Sequence, residues 1–144
     1  MGLKTPDITP FQPTGPTALV PTSKDLYTKV FQVSRTDTVS STKVVLPAGA
    51  SVLSITKNGS SNSDAATTAT VAVVISDNTG AISTGTAVDV KTTGATTALV
   101  QMPNLPNIEP VPLTGDLRIT ATYAETGAAS TTGGPWLFSV VYVR

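Results

Sequence analysis

Histidine and cysteine are both absent from this 144-residue chain, and only 12% of its residues carry charge. Without imidazole or thiol, no triad built on histidine, thiolate nucleophile, His or Cys zinc site, haem ligation or disulfide can form. Nine Lys and Arg balance nine Asp and Glu, so the chain has no electrostatic footprint for nucleic acid or an anionic membrane. Aromatics make up 5% of the residues, which leaves few large rings for a core or a binding platform. Long hydrophobic runs are missing too: the longest unbroken aliphatic stretch, Val71 to Ile75, is far too short to cross a bilayer. The start, Met1-Gly2-Leu3-Lys4-Thr5-Pro6, has no apolar run of the secretory kind, and Pro6 stands where a myristoylation motif wants Ser or Thr. The lack of cysteine is compatible with folding in a reducing cytoplasm.

What the chain has in quantity is threonine. With 26 Thr and 13 Ser, hydroxyl side chains occupy 39 of 144 positions, beside 17 Val and 15 Ala. β-Branched residues fit a pleated, half-buried surface and lose rotamer freedom in helices, so the composition favours sheets. The length suits one domain with a tail.

Residues 1–22 hold five prolines, Pro6, Pro10, Pro13, Pro16 and Pro21. Each fixes its own φ and pushes its predecessor toward extended geometry, so neither a helix nor a central strand forms there. The expectation is an extended arm over 1–22 and a folded domain over 23–144. Run out as polyproline II, the arm reaches on the order of 60–70 Å. Its apolar residues Leu3, Ile8, Phe11, Leu19 and Val20 are candidate contacts with a neighbouring subunit.

From Tyr27 onward a two-residue period dominates. Phe31 and Val33 share a face, and strands are expected at Thr42 to Leu46, Val52 to Thr56, Thr68 to Ser76, Thr86 to Lys91 and Ala98 to Met102. The clearest pattern is Asp116 to Ala124, where Leu117, Ile119, Ala121 and Tyr123 alternate with Asp116, Arg118, Thr120 and Thr122. Two segments are apolar on both faces, Val71 to Ile75 and Trp136 to Val143, which places them centrally in a sheet or at a subunit contact. Turn chemistry separates the segments: Pro47-Ala48-Gly49, Asn58-Gly59, Asp77-Asn78-Thr79-Gly80, Thr92-Thr93-Gly94, Thr114-Gly115 and Gly133-Gly134-Pro135. No stretch carries a sustained helical stripe, and Asp64-Ala65-Ala66 runs straight into β-branched residues. Met102 to Leu113, with four prolines, reads as a crossing loop. The fold class is therefore all-β: an antiparallel, jelly-roll-like β-sandwich of about eight strands behind a proline-rich arm.

Reactive constellations are thin. Glu109 and Glu125 with seven Asp are enough for a glycosidase pair, but their spacing indicates none, and solvated carboxylates are the simpler reading. The oxygen-rich stretches Asn58 to Asp64 and Asp77-Asn78 lack the acidic count and glycine placement of a calcium loop and read as turns. No catalytic, metal or cofactor residue is assigned, and no enzyme activity is expected. Trp136, following Gly134-Pro135 at a strand start, is the one candidate sugar or subunit contact, weighed against core packing.

The stretch Lys43-Val44-Val45-Leu46-Pro47-Ala48-Gly49-Ala50-Ser51-Val52-Leu53-Ser54-Ile55, followed by the Thr- and Ala-rich Ala65 to Val74 and then Gly80, resembles small β-rich virion proteins of tailed bacteriophages. In these a strand ending in LPAGA turns into a second strand ahead of a Thr/Ala-rich third. The resemblance covers roughly residues 40–100 and the final hydrophobic strand. It implies a capsid decoration, or cement, protein that binds the major capsid protein on the outside of a phage shell. It also implies a symmetric oligomer, for which a homotrimer is the favoured form, with the arm across neighbouring subunits. The alternative it leaves open is a fibre, knob or carbohydrate-binding adhesion component of a virion. No residue of the capsid contact carries over, and LPAGA also suits a hairpin turn.

Overall fold

The computed structural model describes residues 25–103 and 115–144, so the arm, its contacts Leu3, Ile8, Phe11, Leu19 and Val20, the 22/23 boundary and Glu109 lie outside the described residues. Nine strands follow in chain order: β1 (Leu26–Val33), β2 (Ser41–Leu46), β3 (Ser51–Asn58), β4 (Thr68–Ser76), β5 (Ala81–Thr84), β6 (Val88–Asp89), β7 (Ala98–Leu99), β8 (Leu117–Thr126) and β9 (Trp136–Val143). They form two antiparallel sheets. The first runs β1-β9-β3-β7. The second runs β2-β8-β4, beyond which β5 and β6 share the far edge of β4.

Counting β5 and β6 as one interrupted strand, the chain changes sheets at every connection except the one from β4 to β5. That double winding is the jelly roll. Strands adjacent in sequence are therefore rarely adjacent in a sheet. The Leu46-Pro47-Ala48-Gly49-Ala50 turn shows this: Pro47 C=O accepts from Ala50 N–H at 3.1 Å, and Gly49 takes φ +83°, which a side chain resists. The turn is tight, yet it carries the chain from β2 in one sheet to β3 in the other. It is not a hairpin between paired strands.

The two-residue period decides which side chains face inward. On β8, Leu117, Ile119, Ala121 and Tyr123 are buried. On β9, Trp136, Phe138, Val140 and Tyr142 are buried while Leu137, Val141 and Val143 stay half-exposed. β9 lies between β1 and β3, and β4 lies between β8 and the β5/β6 edge, so both doubly apolar segments are central. Tyr123 of one sheet stacks across the layers on Trp136 of the other at 5.5 Å between centroids, and Phe31 stacks on its cross-strand partner Phe138 within the first sheet at 5.2 Å. Each large side chain removed from water here contributes about 1.5–3 kcal/mol.

The strands expected at Thr86 to Lys91 and Ala98 to Met102 contract to the two-residue β6 and β7, and β5 arises at 81–84, where no element was expected. Asp77 explains β5. Its carboxylate accepts from Thr79 N–H at 2.7 Å and Gly80 N–H at 3.1 Å, closing a tight turn that folds Ala81–Thr84 back on β4.

Candidate functional site

Two regions stand apart from the regular sandwich, a polar end and an apolar edge. At the end, the loops after β3 (59–67), after β6 (90–97) and after β8 (127–135) are tied to one another. Ser60 N–H donates to Gly94 C=O at 3.0 Å, Ser63 N–H to Val90 C=O at 2.8 Å, and Ala66 N–H to Ala128 C=O at 3.1 Å. Asn62 Oδ1 accepts from Ala95 N–H at 2.9 Å. Asp64 receives Thr131 N–H at 2.7 Å, Thr132 N–H at 2.8 Å and the Thr131 hydroxyl at 2.6 Å. These bonds, with the Thr131 hydroxyl and the Thr132 N–H foremost, hold the Asp64 carboxyl well below the usual carboxylate range against a smaller desolvation effect.

Glu125 belongs to the same network. Its carboxylate accepts from Tyr123 OH at 2.6 Å and Ser130 N–H at 3.0 Å, while Ser130 C=O accepts from Arg35 at 2.6 Å. Burial first, then the Glu125 hydrogen bond, pushes the Tyr123 phenol up. Gly133 shows how closely the loops approach: at φ +107° a Cβ there would meet Asn62 O at 2.6 Å. Lys57, fully buried at the end of β3, donates from Nζ to Thr93 C=O. Desolvation lowers its pKa, and the Asp89 charge partly opposes that shift.

An open cleft of about 270 Å³ lies beside this end, lined by Thr67, Thr68, Ala69, Thr70, Asp89, Lys91 and Thr92. Its charged groups are engaged locally. Lys91 Nζ donates to the Ala65 and Ala66 carbonyls, and the Asp89 carboxylate accepts from Lys91 N–H at 2.7 Å, Thr92 N–H at 3.1 Å and the Thr92 hydroxyl. Such a cleft offers hydroxyls for contact rather than an unpaired acid or base for proton transfer. Among the described residues, no three Asp or Glu side chains cluster as a metal site would need.

The edge has the opposite character. Six large hydrophobic residues are exposed among the described residues, and five sit on β1, β2 or the loop joining them: Leu26, Tyr27, Val30, Val39 and Val45. Lys29 Nζ bridges the two strands by donating to Val45 C=O at 2.9 Å. The edges differ in how they are guarded. β2 is bulged between Thr42 and Val44, the β4–β5 ladder shifts at Ile75/Ser76, and β6 and β7 are two residues long. Only β1 offers eight residues in unbroken register with its one described neighbour, β9.

Of the residues singled out from sequence, Trp136 is fully buried. Its ring stacks on Tyr123 and its indole N–H donates to Ser61 C=O at 2.8 Å. This is the core placement, and it leaves no ring face for a sugar. Glu125 braces a loop. The exposed edge was not anticipated, although one signal was available: Leu26 and Val30 fall on the parity opposite Phe31 and Val33, a second apolar face on a strand outside the sheet centre. Buried Lys57 had no such signal beyond sharing the parity of Ile55.

No family model matches the chain, and no curated protein matches it. Among solved structures, a chain of the "Cyanophage Pam1 capsid asymmetric unit" is similar to it with a TM-score of 0.51 and 18% identity, over 83% of this chain and 85% of that one. At that identity the likeness establishes the shared β-sandwich fold.

Proposed function

We propose that this protein is a non-enzymatic structural component of a phage virion that binds the outer surface of the capsid and stabilises it. The observation that carries this reading is the likeness to a chain of a cyanophage capsid, which spans nearly the whole sandwich rather than one motif. The jelly roll is a fold that many virion proteins share, although fold by itself does not assign function. Supporting features are the low charge and hydroxyl-rich surface of a particle skin. To these are added an apolar edge suited to contact with protein and a proline-rich arm over 1–22 that loses little entropy when it docks on neighbouring subunits. The partner in this reading is the major capsid protein. The copies associate with one another, and a closed trimer competes with the twofold contact argued below. The adhesion alternative has less support, because Trp136 is enclosed by the core.

The test is to label intact virions with antibody to the chain, then to prepare particles without it. Surface labelling, together with shells that assemble but rupture at lower temperature and recover when the full chain is added, is the expected result. Shells that fail to assemble without the chain would make it a shell subunit. Unchanged rupture with no labelling would remove it from the particle surface. Deleting residues 1–22 should abolish shell binding and leave the sandwich folded.

A further inference from the structure

Among the described residues the edge of β1 away from β9 has no partner strand, and we propose that two copies of this chain join edge to edge through it, across a twofold axis at Thr28. The inference does not depend on the capsid reading.

The ladder with β9 fixes which backbone groups of β1 are free. β1 and β9 pair with Leu26 opposite Val143, and Asp25 C=O, one step on, accepts from Arg144 N–H at 3.3 Å. Members of an antiparallel pair either exchange their bonds with each other or turn away, in strict alternation. Asp25, Tyr27, Lys29 and Phe31 therefore bond toward β9, and Leu26, Thr28 and Val30 aim N–H and C=O at the open edge. Side-chain burial marks the same half of the strand: residues 26–30 are exposed on both faces, whereas Phe31 and Val33 are buried.

A second β1 must then place outward-bonding residues opposite one another, which restricts the register to Leu26, Thr28 and Val30 facing their equivalents. Centring on Lys29 puts two ammonium groups face to face, which is unfavourable. Centring on Tyr27 pairs residues 25–29 and leaves the exposed Val30 without a partner. Centring on Thr28 pairs the whole exposed half: Leu26 with Val30 of the second copy, Tyr27 with Lys29, Thr28 with Thr28, and the same contacts in reverse. Apolar meets apolar, Tyr27 meets the aliphatic stem of Lys29, and each Lys29 lies diagonal to both Asp25 and Lys29 of the second copy. The contact adds about six ladder hydrogen bonds and joins the two four-stranded sheets into one. The five prolines of residues 1–22 make that segment a poor ladder partner, because proline has no N–H to give. Among the described residues, the strand with the matching free edge is β1 itself.

The full chain at micromolar concentration is expected to have twice the chain mass by light scattering. A monomer or a trimer would overturn the proposal. Thr28→Pro removes only edge-facing N–H groups, one per copy, and should weaken association about 100-fold with the fold unchanged by circular dichroism. Thr28→Cys supplies a second measurement in a chain with no other thiol. On mild oxidation it should cross-link to itself almost completely, because Cα atoms of such a pair lie about 5.5 Å apart. Thr84→Cys on β5 should not cross-link. A dimer that fails to cross-link through position 28, or that persists undiminished in a folded Thr28→Pro variant, would rule out this interface.

Discussion

The loop-bearing end and the β1/β2 edge of this sandwich answer the same problem in opposite ways. At the end, three loops of irregular backbone place their polar groups on one another: Asp64 closes on Thr131 and Thr132, Asn62 on Ala95, Glu125 on Tyr123 and Ser130. At the edge, a long unbulged strand carries the exposed Leu26, Tyr27 and Val30, and its Lys29 reaches Val45 C=O of β2. Buried polar groups that lack partners are costly, so an end that satisfies itself adds to stability. An unguarded apolar edge adds nothing to the isolated chain and invites another. Stability and association are thereby assigned to different parts of the molecule.

The largest expected effect comes from breaking the link between core and loop end. Trp136→Ala removes the ring stacked on Tyr123 and the indole donor to Ser61. It should cost about 3–5 kcal/mol in urea unfolding. A loss below one kcal/mol would mean that this end does not stabilise the fold.

A smaller effect is expected from acid. The Asp64 and Asp77 carboxyls are held below their ordinary value of 3.8 by hydrogen bonds, led in each case by a threonine hydroxyl. A group depressed in the folded state contributes stability that is complete above its unfolded pKa and is lost as pH falls through the folded one. Thermal midpoints should therefore hold from neutral pH down to about 4 and fall below it. Asp64→Asn should start lower and decline less steeply. Parallel curves for the two proteins would show that the carboxylate network is not the source.

The smallest change in folding should come from the edge. Leu26→Thr with Val30→Thr exchanges two exposed side chains and should move unfolding by no more than about 0.5 kcal/mol for each, while association between copies is lost. A clear loss of stability in the monomer would place these residues among the supports of the core.

Much of the sandwich was legible in the sequence because strand alternation is local. Each of Leu117, Ile119, Ala121 and Tyr123 is placed inward by its parity alone. β5 was hidden because its four residues carry little alternation, and the Asp77 turn, rather than the strand, brings them to β4. β6 shrank because Val90 C=O, inside its expected range, is claimed by Ser63 N–H of a loop.

By itself the sequence determined an all-β domain, the inward faces of its alternating strands and the chemistries it forgoes, since composition and a two-residue period act within a few positions of each other. Only the tertiary structure decided that the Pro47-Ala48-Gly49 turn crosses between sheets, that Lys57 is buried against Thr93, and that Trp136 faces inward onto Tyr123. It also decided that five exposed apolar residues fall on β1, β2 and the loop joining them. Those outcomes depend on which strands become neighbours, and partners such as β1 and β9 are separated by nearly the whole chain. No local pattern encodes the pairing, because it is selected by how the two layers bury their inner faces against each other.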